Sequence, residues 1–205
     1  MSKYQDVYPC EPLIQSSGLV RPTAADLITL EYFEAEPASM PTDKYAQHHI
    51  ILNLRDEAHR LENWRDGEYR DFIYHKNEII VTPAGVASGW KWHVKTKCII
   101  ITLEPVKFEK FAQTELGILL STGQLKNLPQ FLDEDITQSG IQLLEALQCD
   151  LGSQVMFESF ARIFLTKLIL KYGLPQAEYD FSKSFTAKHY KQVLNYIAVN
   201  YGKNI

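Results

Sequence analysis

Residues 77–86 read Asn77-Glu78-Ile79-Ile80-Val81-Thr82-Pro83-Ala84-Gly85-Val86, a β-branched apolar run stopped by a Pro-Ala-Gly turn. β-branched residues favour the pleated backbone, while Pro and Gly break it, so Glu78–Thr82 predicts a strand that ends in a sharp corner. The neighbouring sequence is built the same way. His49 to Leu54, Tyr69 to Tyr74 and Lys97 to Leu103 are further short runs of apolar and aromatic residues. Asp66-Gly67 lies before Tyr69 and is a strong two-residue hairpin signal. From about Asp26 to Glu104 the chain therefore predicts short strands at close spacing, which means an antiparallel sandwich or barrel.

After Pro105 the apolar period lengthens from two to about 3.6. Phe108, Phe111 and Ala112 mark one face of a short helix. Asp135 is expected to cap a second helix running to about Cys149, with Ile136, Leu143, Leu144 and Leu147 inward. A third helix is expected from Ser153 to Gly173, before Pro175. It is so densely apolar that more than one of its faces must be covered. Residues 174–185 read as a linker. Thr186 then opens a last amphipathic helix with Tyr190, Val193, Leu194, Ile197 and Tyr201 on one side.

Bulk composition narrows the function classes. The 205 residues are 45% hydrophobic and 22% charged, near globular averages, and no apolar run approaches the roughly 20 residues that span a bilayer. The first twelve residues carry Lys3, Asp6 and Glu11 and do not form a secretory leader, so a cytoplasmic location is expected. A net charge of −4 argues against a broad nucleic-acid-binding face. The three cysteines, Cys10, Cys98 and Cys149, are widely spaced and read as reduced thiols.

Three stretches make the chain resemble the AraC family of bacterial transcription regulators. They are Asn77 to Val86 with the following Trp90-Lys91-Trp92, the helical block Gly140 to Gly173, and Lys188 to Ile205. The resemblance implies an α+β protein, a cupin-like antiparallel β-barrel followed by an α-helical dimerisation segment. The expected organisation is a sensor barrel over 1–104, a helical dimerisation region over 105–173, a linker over 174–185, and the first helix of a helix-turn-helix domain over 186–205. It further implies a small-molecule effector, a homodimer, and DNA contact only through a domain absent from this chain. A metal-dependent cupin enzyme and a free-standing small-molecule-binding modulator are the alternatives.

Metal cupins place a histidine after the Pro-Gly turn; here that position is Ser88. His48 and His49 are adjacent on a strand and must point to opposite faces. No histidine spacing supports a metal set, so neither metal nor cofactor is expected. Carboxylates between Arg55 and Glu78 alternate with Arg55, Arg60, Arg65 and Arg70, which reads as a solvated charged hairpin. No nucleophile elbow, phosphate loop or dinucleotide fingerprint occurs, so the chain is expected not to be an enzyme. Ligand contacts are expected from His49, Ile51, Asn53, Trp64, Phe72, Trp90 and Trp92, because small-molecule pockets are mostly apolar with a few polar groups. Phe157, Phe160, Phe164 and Leu168 are the candidate dimer seam.

Overall fold

The computed structural model describes residues 1–15, 28–149 and 152–176. The helix expected over 186–205 and most of the expected linker lie outside the described residues. Strands β1 (Ile14–Gln15), β2 (Ile28–Ala35), β3 (Ala38–Lys44), β4 (His48–Asn53), β5 (His59–Arg65) and β6 (Glu68–Tyr74) come first. Next come β7 (Glu78–Thr82), β8 (Ala87–Trp92) and β9 (Thr96–Leu103). Helix α1 (Pro105–Leu116), strands β10 (Leu120–Leu125) and β11 (Leu128–Leu132), helices α2 (Glu134–Gln148) and α3 (Ser153–Tyr172), and β12 (Gly173–Pro175) complete the order.

The long strands form two antiparallel sheets. One has the order β1-β2-β9-β4-β7-β11 and the other the order β3-β8-β5-β6. The turn expected at Asp66-Gly67 joins β5 to β6, and both residues have positive φ (51° and 82°), the conformation of the tight hairpin turn that matches strand twist. The Pro83-Ala84-Gly85 corner does different work. It carries the chain out of β7 in the six-stranded sheet and into β8 in the four-stranded one. Gly85 has φ +80° there and its N–H donates to the Tyr45 carbonyl at 2.9 Å. Strands β7 and β9 share the six-stranded sheet but are separated there by β4.

The six-stranded sheet is covered on both faces, which is why its strands read as continuous apolar runs. Ile50 and Leu52 of β4, Ile79 and Val81 of β7, and Ile99, Ile101 and Leu103 of β9 share one core with the three helices. The alternate residues Ile51, Ile80 and Ile100 face the second sheet. Fully burying such a side chain contributes about 1.5–3 kcal/mol each.

The helical half differs from expectation in three respects. Strand β11 pairs with β7 and β10 pairs with β12, so the region after Leu103 is not purely helical, and Leu174 and Pro175 belong to a strand. Helix α2 is capped by Asp133, whose Oδ1 accepts from the Ile136 N–H at 3.1 Å, two residues earlier than expected. Helix α3 is preceded by Gly152 as its cap and leaves through Gly173 in an extended conformation that starts β12. The Lys171 ammonium donates to Asp133 at 2.9 Å and to Asp135 at 2.6 Å, tying the end of α3 to the start of α2.

The proposed seam on α3 also needs correction. Phe157, Phe164 and Leu168 are buried in this chain's own core, with Phe160 half-buried against it. Phe157, Phe164 and Leu168 share that core with residues of α2 and the six-stranded sheet, so these three side chains lie inside the chain. The apolar residues that α3 leaves exposed are Val155, Met156, Ile163 and Leu170. Among the described residues no helix is long and apolar enough to cross a membrane.

Candidate functional site

His48 and His49 are adjacent on β4 and face opposite ways. His48 points to the helical side. There Nδ1 accepts from the Ala84 N–H at 3.1 Å, which leaves Nε2 as the donor to Gln124 Oε1 at 2.8 Å. Its ring meets Phe108 edge-on, 5.3 Å between centroids. His48 is thus a structural clamp on the Pro83-Ala84-Gly85 corner. His49 points the other way, between the sheets, as strand alternation requires. It is fully buried and neither ring nitrogen has a hydrogen-bond partner.

His49 borders a cavity between the two sheets. The six-stranded sheet contributes Phe33 and Ala35 from β2, His49 and Ile51 from β4, and Thr96, Cys98 and Ile100 from β9. Facing them are Met40 from β3, His59 and Leu61 from β5, Tyr74 from β6, and Trp90 and Trp92 from β8. Tyr8, Pro9 and Cys10 of the N-terminal segment complete the wall. The volume is about 60 Å³, several times the roughly 10–15 Å³ that one water needs on the same measure. The walls are almost entirely carbon, with no Asp, Glu, Lys or Arg side chain on them.

The N-terminal segment is held over this cavity by named contacts. Tyr4 is fully buried, stacks on Tyr45 with 4.0 Å between centroids, and its hydroxyl shares a hydrogen bond with Ser88 Oγ at 3.1 Å. Ser88, the position at which the resemblance implies a metal-ligand histidine, is a partner of Tyr4. Gln5 Nε2 donates to Glu31 at 3.1 Å and to Thr102 at 3.2 Å, and the Ala46 N–H donates to the Ser2 carbonyl at 3.1 Å.

The electrostatics keep the cavity neutral. Burial pushes the His49 imidazole well below its ordinary pKa, and the nearby Arg65 charge adds to that. His59 is lowered by burial and by Arg55. Burial raises the Cys98 thiol to about 12, so it stays protonated. Arg65 is the nearest buried cation and is not part of a solvated hairpin, contrary to expectation. It is 4% exposed, with Nη1 donating to the Val81 carbonyl at 2.9 Å and to Asn127 Oδ1, and Nη2 donating to Thr82 Oγ1 at 2.6 Å. Nε donates to Asn63 Oδ1 at 3.1 Å, the guanidinium carbon lies 5.5 Å from the Trp90 ring centre, and burial lowers its pKa to about 10.

Four of the seven expected ligand contacts come together on this cavity: His49, Ile51, Trp90 and Trp92. The other three do not line it. Asn53 is buried but anchors a turn, with Nδ2 donating to the His75 carbonyl at 2.9 Å and Oδ1 accepting from the Arg55 N–H at 3.1 Å. Trp64 sits on the opposite face of β5 from Leu61, its ring 5.2 Å from Tyr69. Phe72 borders a shallow groove with Tyr69, Pro129 and Gln130. Among residues the sequence reading missed, Cys98 and Ile100 could have been found by parity, since Ile51 pairs with Ile100 across the sheet. Tyr8, Pro9 and Cys10 lie in a segment without periodicity and give no such signal. Among the described residues no group of three or more His, Cys, Asp or Glu side chains is placed to hold a metal ion, so the residues here do not make a set for a cupin metal.

No protein-family model matches the chain, and no curated protein does. Solved structures do resemble it. A cupin 2 conserved barrel domain protein from Salinispora arenicola is 15% identical over 50% of this chain and 81% of that one, with a TM-score of 0.35. A protein assigned to ethanolamine utilization (EutQ) from Salmonella typhimurium is 12% identical over 38% of this chain, with a TM-score of 0.32. The chain spans 58% of that protein's length. A salicylate 1,2-dioxygenase from Pseudoaminobacter salicylatoxidans is 14% identical over 45% of this chain and 25% of that one, with a TM-score of 0.36. At these scores and identities the likenesses transfer no function. They do correct one expectation: an enzyme stands among the similar structures, so the chain's lack of sequence motifs does not make it a non-enzyme. None of them points to AraC-type regulators, and that resemblance rests on the sequence alone.

Proposed function

We propose that this chain is a small-molecule-binding domain that serves as the effector sensor of an AraC-type transcription regulator. The supporting observation is the apolar cavity walled by both sheets and by the N-terminal segment. Small-molecule sites have this character, a concave apolar wall with few polar groups. The regulatory setting draws its support from the sequence of Asn77 to Val86 and Trp90-Lys91-Trp92. In this reading the protein works in the cytoplasm, and DNA contact comes from a separate helix-turn-helix domain. Effector binding favours one arrangement of the N-terminal segment and helices over another, by as much as its affinity differs between the two. A homodimer belongs to the same reading, with its seam on the exposed side of α3 at Val155, Ile163 and Leu170.

Tryptophan emission tests the binding step. Trp90 and Trp92 line the cavity and Trp64 does not. An effector is expected to change the emission of wild type and of Trp64→Phe alike. A change that disappears in Trp64→Phe would place binding elsewhere.

A further inference from the structure

The cavity wall carries few polar atoms, and five on its lining residues have no hydrogen-bond partner: Nδ1 and Nε2 of His49, Nε1 of Trp90, Nδ1 of His59 and the Tyr8 hydroxyl. The two most deeply buried of these side chains are His49 and Trp90. They belong to strands of opposite sheets, β4 and β8, and both residues line the same space. Both side chains are buried, at 0% and 2% exposure. Native proteins seldom leave buried donors and acceptors unpaired, because each then loses its bonds to water and gains none in return. The contrast with Trp92 is instructive: its Nε1 donates to the Glu36 carbonyl at 2.7 Å. The Trp92 N–H is thus paired within the fold, and the Trp90 N–H is not.

Charge is absent from the same wall. No Asp, Glu, Lys or Arg side chain lines the cavity. Arg65, behind Trp90, already has acceptors at Asn63, Val81, Thr82 and Asn127. Glu31 is held by Gln5 and Gln15. A charged ligand would shed its hydration here and meet no counter-ion.

We infer that the ligand is an uncharged, mostly hydrocarbon compound carrying one or two hydroxyl or carbonyl oxygens that pair with Trp90 Nε1 and His49. This rests on the small-molecule reading above and adds its chemical class. The oxygen accepts from the Trp90 N–H, and a hydroxyl also donates to the unprotonated nitrogen of neutral His49. The hydrocarbon body packs on Phe33, Ile51, Ile100 and Trp92.

Isothermal titration of the whole chain with two matched sets tests it: benzyl alcohol, toluene, benzoate and protonated benzylamine, then hexan-1-ol, hexane, hexanoate and protonated hexylamine. In at least one set the alcohol is expected to bind about tenfold or more tightly than either charged member. It should also bind about five- to tenfold more tightly than the hydrocarbon, the worth of one or two net hydrogen bonds. Trp90→Phe is expected to cut that advantage over the hydrocarbon by at least half. If in both sets a carboxylate or ammonium binds as tightly as its alcohol, or the alcohol is no better than its hydrocarbon, the inference is overturned while small-molecule binding stands. An advantage that survives Trp90→Phe overturns it too. Failure of every compound to bind, hydrocarbons included, counts against both the inference and the small-molecule reading.

Discussion

The Tyr4 ring lies on the imidazole of His49, with 3.6 Å between centroids and 15° between planes. This contact joins the N-terminal segment to the cavity wall. Because the Tyr4 hydroxyl also meets Ser88 on β8, one side chain bridges both sheets beside His49.

Removing that side chain should therefore be costly. Tyr4→Ala deletes a fully buried aromatic ring and its hydrogen bond, and is expected to lower unfolding stability by about 3–5 kcal/mol in urea melts. Limited proteolysis should show faster cleavage near residues 3–10 under conditions where the rest of the chain survives. A loss below about 1 kcal/mol would mean that the segment does not hold the pocket closed.

His49→Phe should behave in the opposite way. The two unpaired ring nitrogens are a burden in the empty protein, and a phenyl ring keeps the stacking on Tyr4 without them. The variant is expected to be about 1 kcal/mol more stable than wild type and to bind the alcohols less well. Stability traded against binding marks a residue kept for its ligand. A loss of more than about 1 kcal/mol would show that the nitrogens do bond within the fold.

The same residue sets a pH dependence. His48, His49 and His59 are each lowered by burial, most strongly His49. Unfolded, these imidazoles take up protons as the pH falls below about 6.5, while the folded protein keeps them neutral. The unfolded state then binds more protons, so stability falls as the pH drops below that value, by at most about 1.4 kcal/mol per unit per histidine. Glu31, whose carboxyl burial raises, opposes this at lower pH. Urea melts at pH 7.5 and 5.5 should show wild type losing more stability than His49→Phe. Equal losses would remove His49 from the account.

On α3, two neighbours separate packing from association. Phe164→Ala should cost about 3–5 kcal/mol, since Phe164 is 1% exposed. Ile163→Ser, at a position 43% exposed, should change stability by no more than about 0.5 kcal/mol. If the exposed side of α3 is a dimer seam, sedimentation should show Ile163→Ser shifting toward monomer. An unchanged distribution would move the seam elsewhere.

How much of this was legible in the sequence depended on whether a local pattern carried the information. The opposed fates of His48 and His49 follow from strand parity, and Asp66-Gly67 fixes its hairpin by backbone sterics. Arg65 could not be told from Arg60 or Arg70, because each sits in the same alternation of charges; what sets it apart is its buried contacts with Val81, Thr82 and Asn127, all distant in the chain. The density of α3 said that several faces are covered but not which one is inside; Phe157, Phe164 and Leu168 face inward because α2 and the sheet pack there. Tyr4 and Gln5 are held by contacts with residues 26 to 97 positions away, which no short-range period encodes.

The central claim is that a small molecule occupies the space between the sheets, and filling that space is its most direct test. Ala35 lines the cavity and is buried. Ala35→Leu puts three more carbons into it. A compound library screened by thermal denaturation should contain members that raise the Tm of wild type by the mass-action amount, and those members should lose most of the effect on a folded Ala35→Leu protein. Hits that stabilise both proteins equally would contradict the claim, as would a library of neutral and charged small molecules that stabilises neither.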